Sequence, residues 1–423
     1  MRSRGLAPAT VEPAIVNVSV IDSTEALGLL RKDWDQLLAV SSNGSIFSTW
    51  EWATAWWKSY GRGKSLWILK ISRDGHLIGL APFYLENIRR FGALTYRTLR
   101  LVGDGSADSD YLEVISASGE EESVARSIVT HLLGHKSIWD IALLNEIPET
   151  SLTLRFLRTV FQENDCYWNE TARPCSYVNL PADWNTYLLG LRPRMRTKIR
   201  SLSRELEKKF TVNFNVCQSL TELDAGLESL FRLHGKRWEI RGQDGVFASP
   251  AKRHFYQELS PLLLNRRWLR FYTLALNNVA VAHQYCFEYR NKMFLLQEGF
   301  DPEWDQYGVG NVLRSYVFRD CIERKLAAYD FLGGITEHKT SWGAVQKFSL
   351  STAALTPGMK NKLFLSLPKA IATGKDRIRA ILPEAVLRWR ETWLKKNSSP
   401  DGIESRTDTR GQGVTRSHAK SDT

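Results

Sequence analysis

The 423-residue sequence predicts an α/β fold with mixed sheets, built as two similar halves. Three observations carry this. Alternating apolar runs are interleaved with amphipathic runs of helical period. A hairpin, then a helix, then a short buried strand occurs twice, as "DGHLIGLAPFY…IWDIALLN" and "NNVAVAHQYCF…LAAYDFLGG". The length exceeds one ordinary core, and 43% hydrophobic residues with 15 tryptophans suffice to fill two. The two halves share element order, with no residue-level repeat.

Residues 1–15 read as a loose tail and 16–175 as a first domain. "AIVNVSVID" alternates as a strand. "STEALGLLRKDWDQLLAVS" is a helix capped by Ser23 or Thr24, with Leu27, Leu30, Trp34, Leu37 and Leu38 on one face. "SIFSTWEWATAWWKSYG" is a loop running into an aromatic helix that stops at Gly61. Two strands flank an Asp74-Gly75 turn. "TLRLVGDG" and "DYLEVIS" are strands, "EESVARSIVTHLLGH" a helix, "SIWDIALLNEI" a buried strand and "SLTLRFLRTVFQEN" a helix.

Residues 176–350 read as a second domain of the same design. "SYVNL" and "TVNFNVCQ" are strands. "DWNTYLLGLRPRMRTKIRSLSRELEKKF" and "LTELDAGLESLFRLHGKRWEIRG" are helices. Three antiparallel strands follow, joined by Asn277-Asn278 and Arg290-Asn291 turns, and then the helix "GNVLRSYVFRDCIERKL" and the strand "AYDFLGG". Residues 351–397 suggest an amphipathic helical extension, with Ile378, Ile381, Leu382 and Leu387 on apolar faces. Residues 398–423 are polar and read as a disordered tail.

The net charge of +11 suits an anionic partner or a solvated basic surface. Five widely spaced cysteines without a C-x-x-C imply neither a zinc site nor a disulfide framework, and no metal is expected. Reduced thiols, an N-terminus without a continuous apolar stretch and no membrane-spanning run point to a cytoplasmic protein. G-x-S-x-G, a Walker loop, H-E-x-x-H and a full G-x-G-x-x-G are all absent, which removes support for serine hydrolase, P-loop ATPase and zinc protease chemistry.

Five stretches contain residues suited to chemistry. Gly308 and Gly310 lie between a strand and a helix, where they either let the chain turn or bare N–H groups for a phosphate. His234 and Arg237 share a helix face beside Trp238; the imidazole suits proton transfer and the guanidinium an anion clamp, unless both are surface residues. Asp330, Glu337, His338, Lys339 and Trp342 gather past a strand end, as α/β sites do and hydrated loops also do. Arg192, Arg194, Arg196, Lys198 and Arg200 form a basic run for tRNA, membrane or an anionic glycan, or else a solvated face. Trp50 and Trp52, around Glu51, form either a sugar or peptide platform or core packing.

Together, "FSTWEWATAWWKSYG", "GLAPFY", "LHGKRWEIRGQDGVF", "VAHQYCFEY", "GFDPEWDQYGVGNVL" and "YDFLGGITEHKTSWG" occur in an order that resembles the CelD-like (BioF2-like) acetyltransferases. These bacterial proteins belong to the GCN5-related N-acetyltransferase (GNAT) superfamily and are related to Fem-type aminoacyl transferases. The resemblance spans residues 16–350 and implies two tandem acetyltransferase folds, the second binding the acyl donor, acetyl-CoA or another acyl-CoA. The superfamily's donor loop, Arg/Gln-x-x-Gly-x-Gly/Ala, matches "DQYGVG": Gly308 and Gly310 fit, Asp305 holds the Arg/Gln position, and Gln306 comes one residue late. The resemblance thus implies donor binding by Gln306, Gly308, Val309, Gly310 and Asn311. It implies a base among His234, Glu298 and Glu337, with His234 ranked first, and acceptor contacts from Arg237, Trp238, Trp50, Trp52, Asp330, Lys339 and Trp342. The expected reaction is direct acyl transfer to an amine on a sugar or polysaccharide precursor, with possible peripheral contact to membrane or polysaccharide machinery. The alternatives are a Fem-type transferase using charged tRNA and a non-catalytic binding protein of a polysaccharide system.

Overall fold

Alternating apolar residues build β1 (Val16–Ile21), β2 (Ser65–Arg73), β3 (His76–Arg90) and β4 (Leu94–Leu101) as antiparallel neighbours. The computed structural model describes residues 16–358, apart from 91–93 and 241, together with 360, 361 and 364. A short β5 (Ile115–Ser116) pairs with β3, β6 (Ile141–Pro148) lies parallel to β4, and β7 (Tyr167–Asn179) closes the half. Its helices are α1 (Thr24–Leu29), α2 (Arg31–Val40), α3 (Trp50–Tyr60), α4 (Glu121–Gly134) and α5 (Leu152–Glu163). Ser23, Thr49 and Ser151 cap α1, α3 and α5, each side-chain oxygen accepting an N–H of the first turn.

The second half contains α6 (Trp184–Gly190), α7 (Pro193–Lys209), β8 (Val212–Val216), α8 (Leu220–Glu239) and α9 (Pro250–Asn265). The meander β9 (Leu269–Leu276), β10 (Val279–Tyr289) and β11 (Lys292–Phe300) follows. Its turns are the expected ones: Asn277 and Asn278 (φ 50° and 66°), then Arg290 and Asn291 (φ 46° and 60°), left-handed pairs that match strand twist. A 3-10 turn, Pro302–Tyr307, leads into α10 (Val309–Glu323), then β12 (Ala328–Gly333), α11 (Glu337–Ser341) and β13 (Val345–Leu355).

Both halves share one sheet, ordered β1-β2-β3-β4-β6-β13-β7-β12-β11-β10-β9-β8. The halves exchange their last strands. β7 pairs with β12 of the second half, and β13 pairs with β6 of the first. The exchanged strands also pair with each other, from Val345 opposite Tyr177 to Leu355 opposite Tyr167. The 175/176 boundary expected from sequence therefore falls inside β7.

Other expectations change too. The single helix expected from Asp183 breaks at Leu191 and Arg192, where Pro193 takes the first turn of α7, a position that needs no N–H. The strand expected over 110–116 shrinks to Ile115–Ser116. Residues 351–355, expected to begin a helical extension, belong to β13. The rest of that extension beyond 364 and both tails lie outside the described residues.

Tryptophans tie the halves together. Trp34, Trp52, Trp56, Trp139 and Trp342 are fully buried. Trp52 of α3 packs edge-on against Phe255 of α9 at 5.2 Å and Phe287 of β10 at 5.6 Å. Each such indole removes on the order of 200 Å² from water, worth roughly 5 kcal/mol in transfer terms.

Candidate functional site

The two strands that frame the site part company. β11 and β12 are paired in parallel only where Lys292, Met293 and Phe294 face Ala328, Tyr329 and Asp330. Beyond that, β11 continues along β10 to Phe300, while β12 bulges after Asp330 and pairs with β7. The C-terminal ends of the two strands are thus left unpaired with each other, and this gap is the candidate cleft, the place where α/β sheets hold ligands.

α10 packs on β10 and β11 beside this cleft. Gly308 precedes it in the left-handed region, φ 59°. A Cβ there would lie 2.8 Å from Leu202 Cδ1, and one on Gly310 would lie 3.3 Å from Phe300 Cδ1. Backbone conformation and packing thus already demand the first glycine. Asn311 and Val312 N–H groups return to the Gly308 carbonyl at 2.9 and 3.1 Å. The Val309 and Gly310 N–H groups precede any intrahelical partner, and no acidic residue occupies the first turn of α10. The cradle therefore fits an anion. Gln306 and Asp305 are exposed on the preceding 3-10 turn.

Inside the cleft, Glu298 of β11 is ion-paired with Arg314 of α10. The Arg314 side chain is only 3% exposed and lies 5.4 Å from the Phe331 ring and 5.6 Å from the Trp342 ring. Its Nη1 donates to His338 Nε2 at 2.9 Å, and Asn311 Oδ1 lies 3.4 Å from the same nitrogen. Gln284 donates to Glu298 at 3.4 Å and accepts from Tyr329 at 3.1 Å. Burial pushes the Glu298 carboxyl up, but Arg314, with Arg237 behind it, outweighs burial and holds it below the usual carboxylate range. Withdrawal from water, then Arg314, push His338 down to about 4. Two buried donors, Arg314 Nε–H and the Trp342 indole N–H, meet no acceptor among the described residues. A buried donor without an acceptor costs free energy. The Arg314 donor adjoins the partly exposed Glu298 carboxylate, whereas the fully buried Trp342 is enclosed.

The other expected residues are dispersed. His234 is buried rather than open to a substrate: its Nε2 accepts from the Trp238 indole at 3.1 Å, Phe247 lies edge-on at 5.0 Å, and Nδ1 meets no acceptor among the described residues. Loss of hydration, then Arg237, push it down to about 4, so it stays neutral and walled in. Arg237 lies over the Phe300 ring at 4.9 Å, at the edge of the cleft. Glu337 is exposed in the first turn of α11. Trp52 is in the core and bonds Ser109, and the half-buried Trp50 donates to the Leu27 carbonyl at 2.8 Å, so the aromatic platform is a packing device. Glu51 at its centre pairs with Arg31 and Arg266. Trp342 is fully buried, so it lines the cleft from below instead of receiving an acceptor at the surface.

Asp330 is 1% exposed and satisfied by Tyr111 (3.1 Å), the Leu332 N–H (2.8 Å) and Lys347 (2.6 Å), so it is a structural carboxylate. Lys339 donates to the carbonyls of Phe331 (3.1 Å), Gly333 (2.6 Å) and Gly334 (3.1 Å). These two anchor a second cluster, whose Lys339 amine lies 5.9 Å from the Phe331 ring. In it, burial and the neighbouring Asp330 push Asp110 up to about 6. Non-glycine residues at positive φ crowd around it: Tyr111 (50°), Glu146 (57°) and Leu332 (59°). Such strain concentrates at functional sites. Sequence reasoning missed Arg314, Asp110, Tyr111 and Lys347; the only signal was their types, dispersed over elements that the fold brings together.

Residues 193–340 match the family model described as an acetyltransferase (GNAT) domain. The crystal structure of FemX is similar over 80% of this chain and 98% of its own, with a TM-score of 0.56 at 10% identity. A conserved protein of unknown function from Bacteroides thetaiotaomicron VPI-5482 is similar over 80% of this chain and 100% of its own, with a TM-score of 0.51 at 12% identity. At these identities the likeness establishes a shared fold. No curated protein matches. The first half repeats the strand and helix order of the matched half, so the fold is a tandem acetyltransferase-like one.

Proposed function

We propose that this chain, a GNAT-superfamily acyltransferase with its acetyltransferase domain at residues 193–340, transfers an acyl group from acyl-CoA directly to an amine. The unmatched Arg314 Nε–H, buried beside an ionised carboxylate where β11 and β12 part, is the observation that carries this reading. Acyl-coenzyme A, when bound, supplies an activated thioester carbonyl. The Val309 and Gly310 N–H groups receive phosphate at the start of α10, the Asn311 N–H being bonded to the Gly308 carbonyl. The free edge of β11 beyond Phe294 accommodates an extended arm by strand-like pairing. Arg314 offers Nε–H and positive charge to the carbonyl oxygen as negative charge develops there. Glu298, kept ionised by Arg314, takes the proton that the attacking amine loses as the C–N bond forms; the thioester C–S bond breaks, and coenzyme A leaves as the free thiol with that proton. Glu298 replaces His234 in this role because its carboxylate faces the cleft and the imidazole does not. The second cluster, in which burial raises the Asp110 carboxyl to about 6, suits the acceptor side.

The motif resemblance to CelD-like proteins supports a sugar or polysaccharide-precursor amine as acceptor and a cytoplasmic location. The exposed Asp305 beside the cradle favours a second reading, in which the donor is a charged tRNA carrying no pyrophosphate at that point. Calorimetry with acetyl-CoA and, separately, with aminoacyl-tRNA distinguishes the two. Acetyl-CoA binding with release of free thiol on adding amines is the expected outcome; turnover with aminoacyl-tRNA alone would overturn the first reading.

A further inference from the structure

α7 carries charge that the rest of the described fold leaves unanswered. Arg192, Arg194, Arg196, Lys198, Arg200 and Arg204 precede its first acid, Glu205. The two acids that follow are already engaged, Glu205 by Lys209 at 2.7 Å and Glu207 by Tyr316 at 2.9 Å. Among the described residues, none of the six cations makes an ion pair with a carboxylate. Five of them are exposed, and Arg196 is half-buried. They span roughly 18 Å of helix. Several sit in the first turns, where the helix dipole disfavours positive charge unless an anion is present.

The neighbouring α6 adds an apolar element. Leu189, three residues before Arg192, is 67% exposed, and the half-buried Trp184 stacks on Tyr187 at 5.4 Å. An exposed leucine and an amphipathic indole beside clustered cations match the chemistry of a bilayer interface. α7 itself contributes no aromatic residue, and the only indole of the corner, Trp184, is stacked on Tyr187 rather than standing free for a base.

We propose that the α6–α7 corner docks the protein peripherally on an anionic lipid surface, with the α7 cations on the headgroups and Leu189 at the acyl boundary. The same helix reaches the candidate site. Leu202 packs on Gly308, and the Lys198 charge acts on His338. Docking would therefore bring the cleft next to the bilayer. This inference does not depend on the acyl-transfer reading.

The test is co-sedimentation of the full chain with vesicles of phosphatidylcholine containing a third of phosphatidylglycerol, against pure phosphatidylcholine and against a tRNA-sized RNA. Binding to the anionic vesicles, weak binding to neutral ones and release at high salt are expected. Each cation near such a surface is worth about fivefold in partitioning, so Arg194→Glu/Arg200→Glu/Arg204→Glu should lower it at least about 100-fold. Leu189→Ser should lower it several-fold without altering the melting temperature. No binding to anionic vesicles, undiminished binding by a folded triple variant, or tighter binding to RNA at the same salt would overturn the proposal. The salt titration and the leucine variant keep it falsifiable if the triple variant does not fold.

Discussion

Arg314 performs two tasks from one position: it holds Glu298 ionised and leaves one N–H donor unmatched in the cleft. Two substitutions separate these tasks. Glu298→Gln should lower turnover by about 10²–10³ with a smaller change in KM. Arg314→Gln removes the cation that depresses the Glu298 carboxyl. With a depressed pKa the carboxylate stays charged until the pH falls through the folded value. Raising that value moves the acid limb of the pH–rate profile to higher pH. Unchanged turnover in Glu298→Gln, or an unmoved acid limb in Arg314→Gln, would contradict the assignment. Glu298 was legible in the sequence as a carboxylate at the end of a strand just before a glycine pair. Arg314 was not, because an arginine in an amphipathic helix reads as a solvent-facing charge until the helix is seen lying on β10 and β11. His234 was legible as a residue type, but nothing in "LHGKRW" shows that Phe247 and Trp238 pack against the ring.

The glycine pair can be settled at the level of the α10 start. Gly308 needs its left-handed backbone, and a Cβ there would push on the Leu202 side-chain tip, whereas Gly310 is merely tight. Gly308→Ala should destabilise the chain by about 1–3 kcal/mol in urea unfolding, through left-handed strain and the clash with Leu202. Wild-type stability in that variant would show that the turn can relax, and would remove the fixed helix start on which the cradle depends. The hairpins were legible because Asp74-Gly75, Asn277-Asn278 and Arg290-Asn291 fit left-handed turns. α9 was not, because "PAKRHFYQELSPLLLN" carries Pro261 within it and polar residues on much of its surface. β13 escaped notice because "VQKFSLSTAAL" has polar residues at both faces, which the exchanged pairing with β6 and β7 buries only in part.

For the whole molecule, the two-half design was legible from element order, and the joining of the halves was not. Strand exchange depends on pairings between residues more than 150 positions apart, such as Leu355 with Tyr167, which no local pattern encodes. The abundance of tryptophan becomes intelligible only here, as rings of α3 bury themselves against α9 and β10. The charge of +11 is likewise partly resolved into one helix, α7, whose cations wrap around its exposed side. The central claim is that an acyl donor occupies the cleft between β11 and β12 and rests on the first turn of α10. Hydrogen–deuterium exchange with and without saturating acetyl-CoA tests it most directly. The claim predicts new protection concentrated over residues 295–300 and 308–314. Saturable binding with protection confined to the first half, or no change over these two segments, would contradict it.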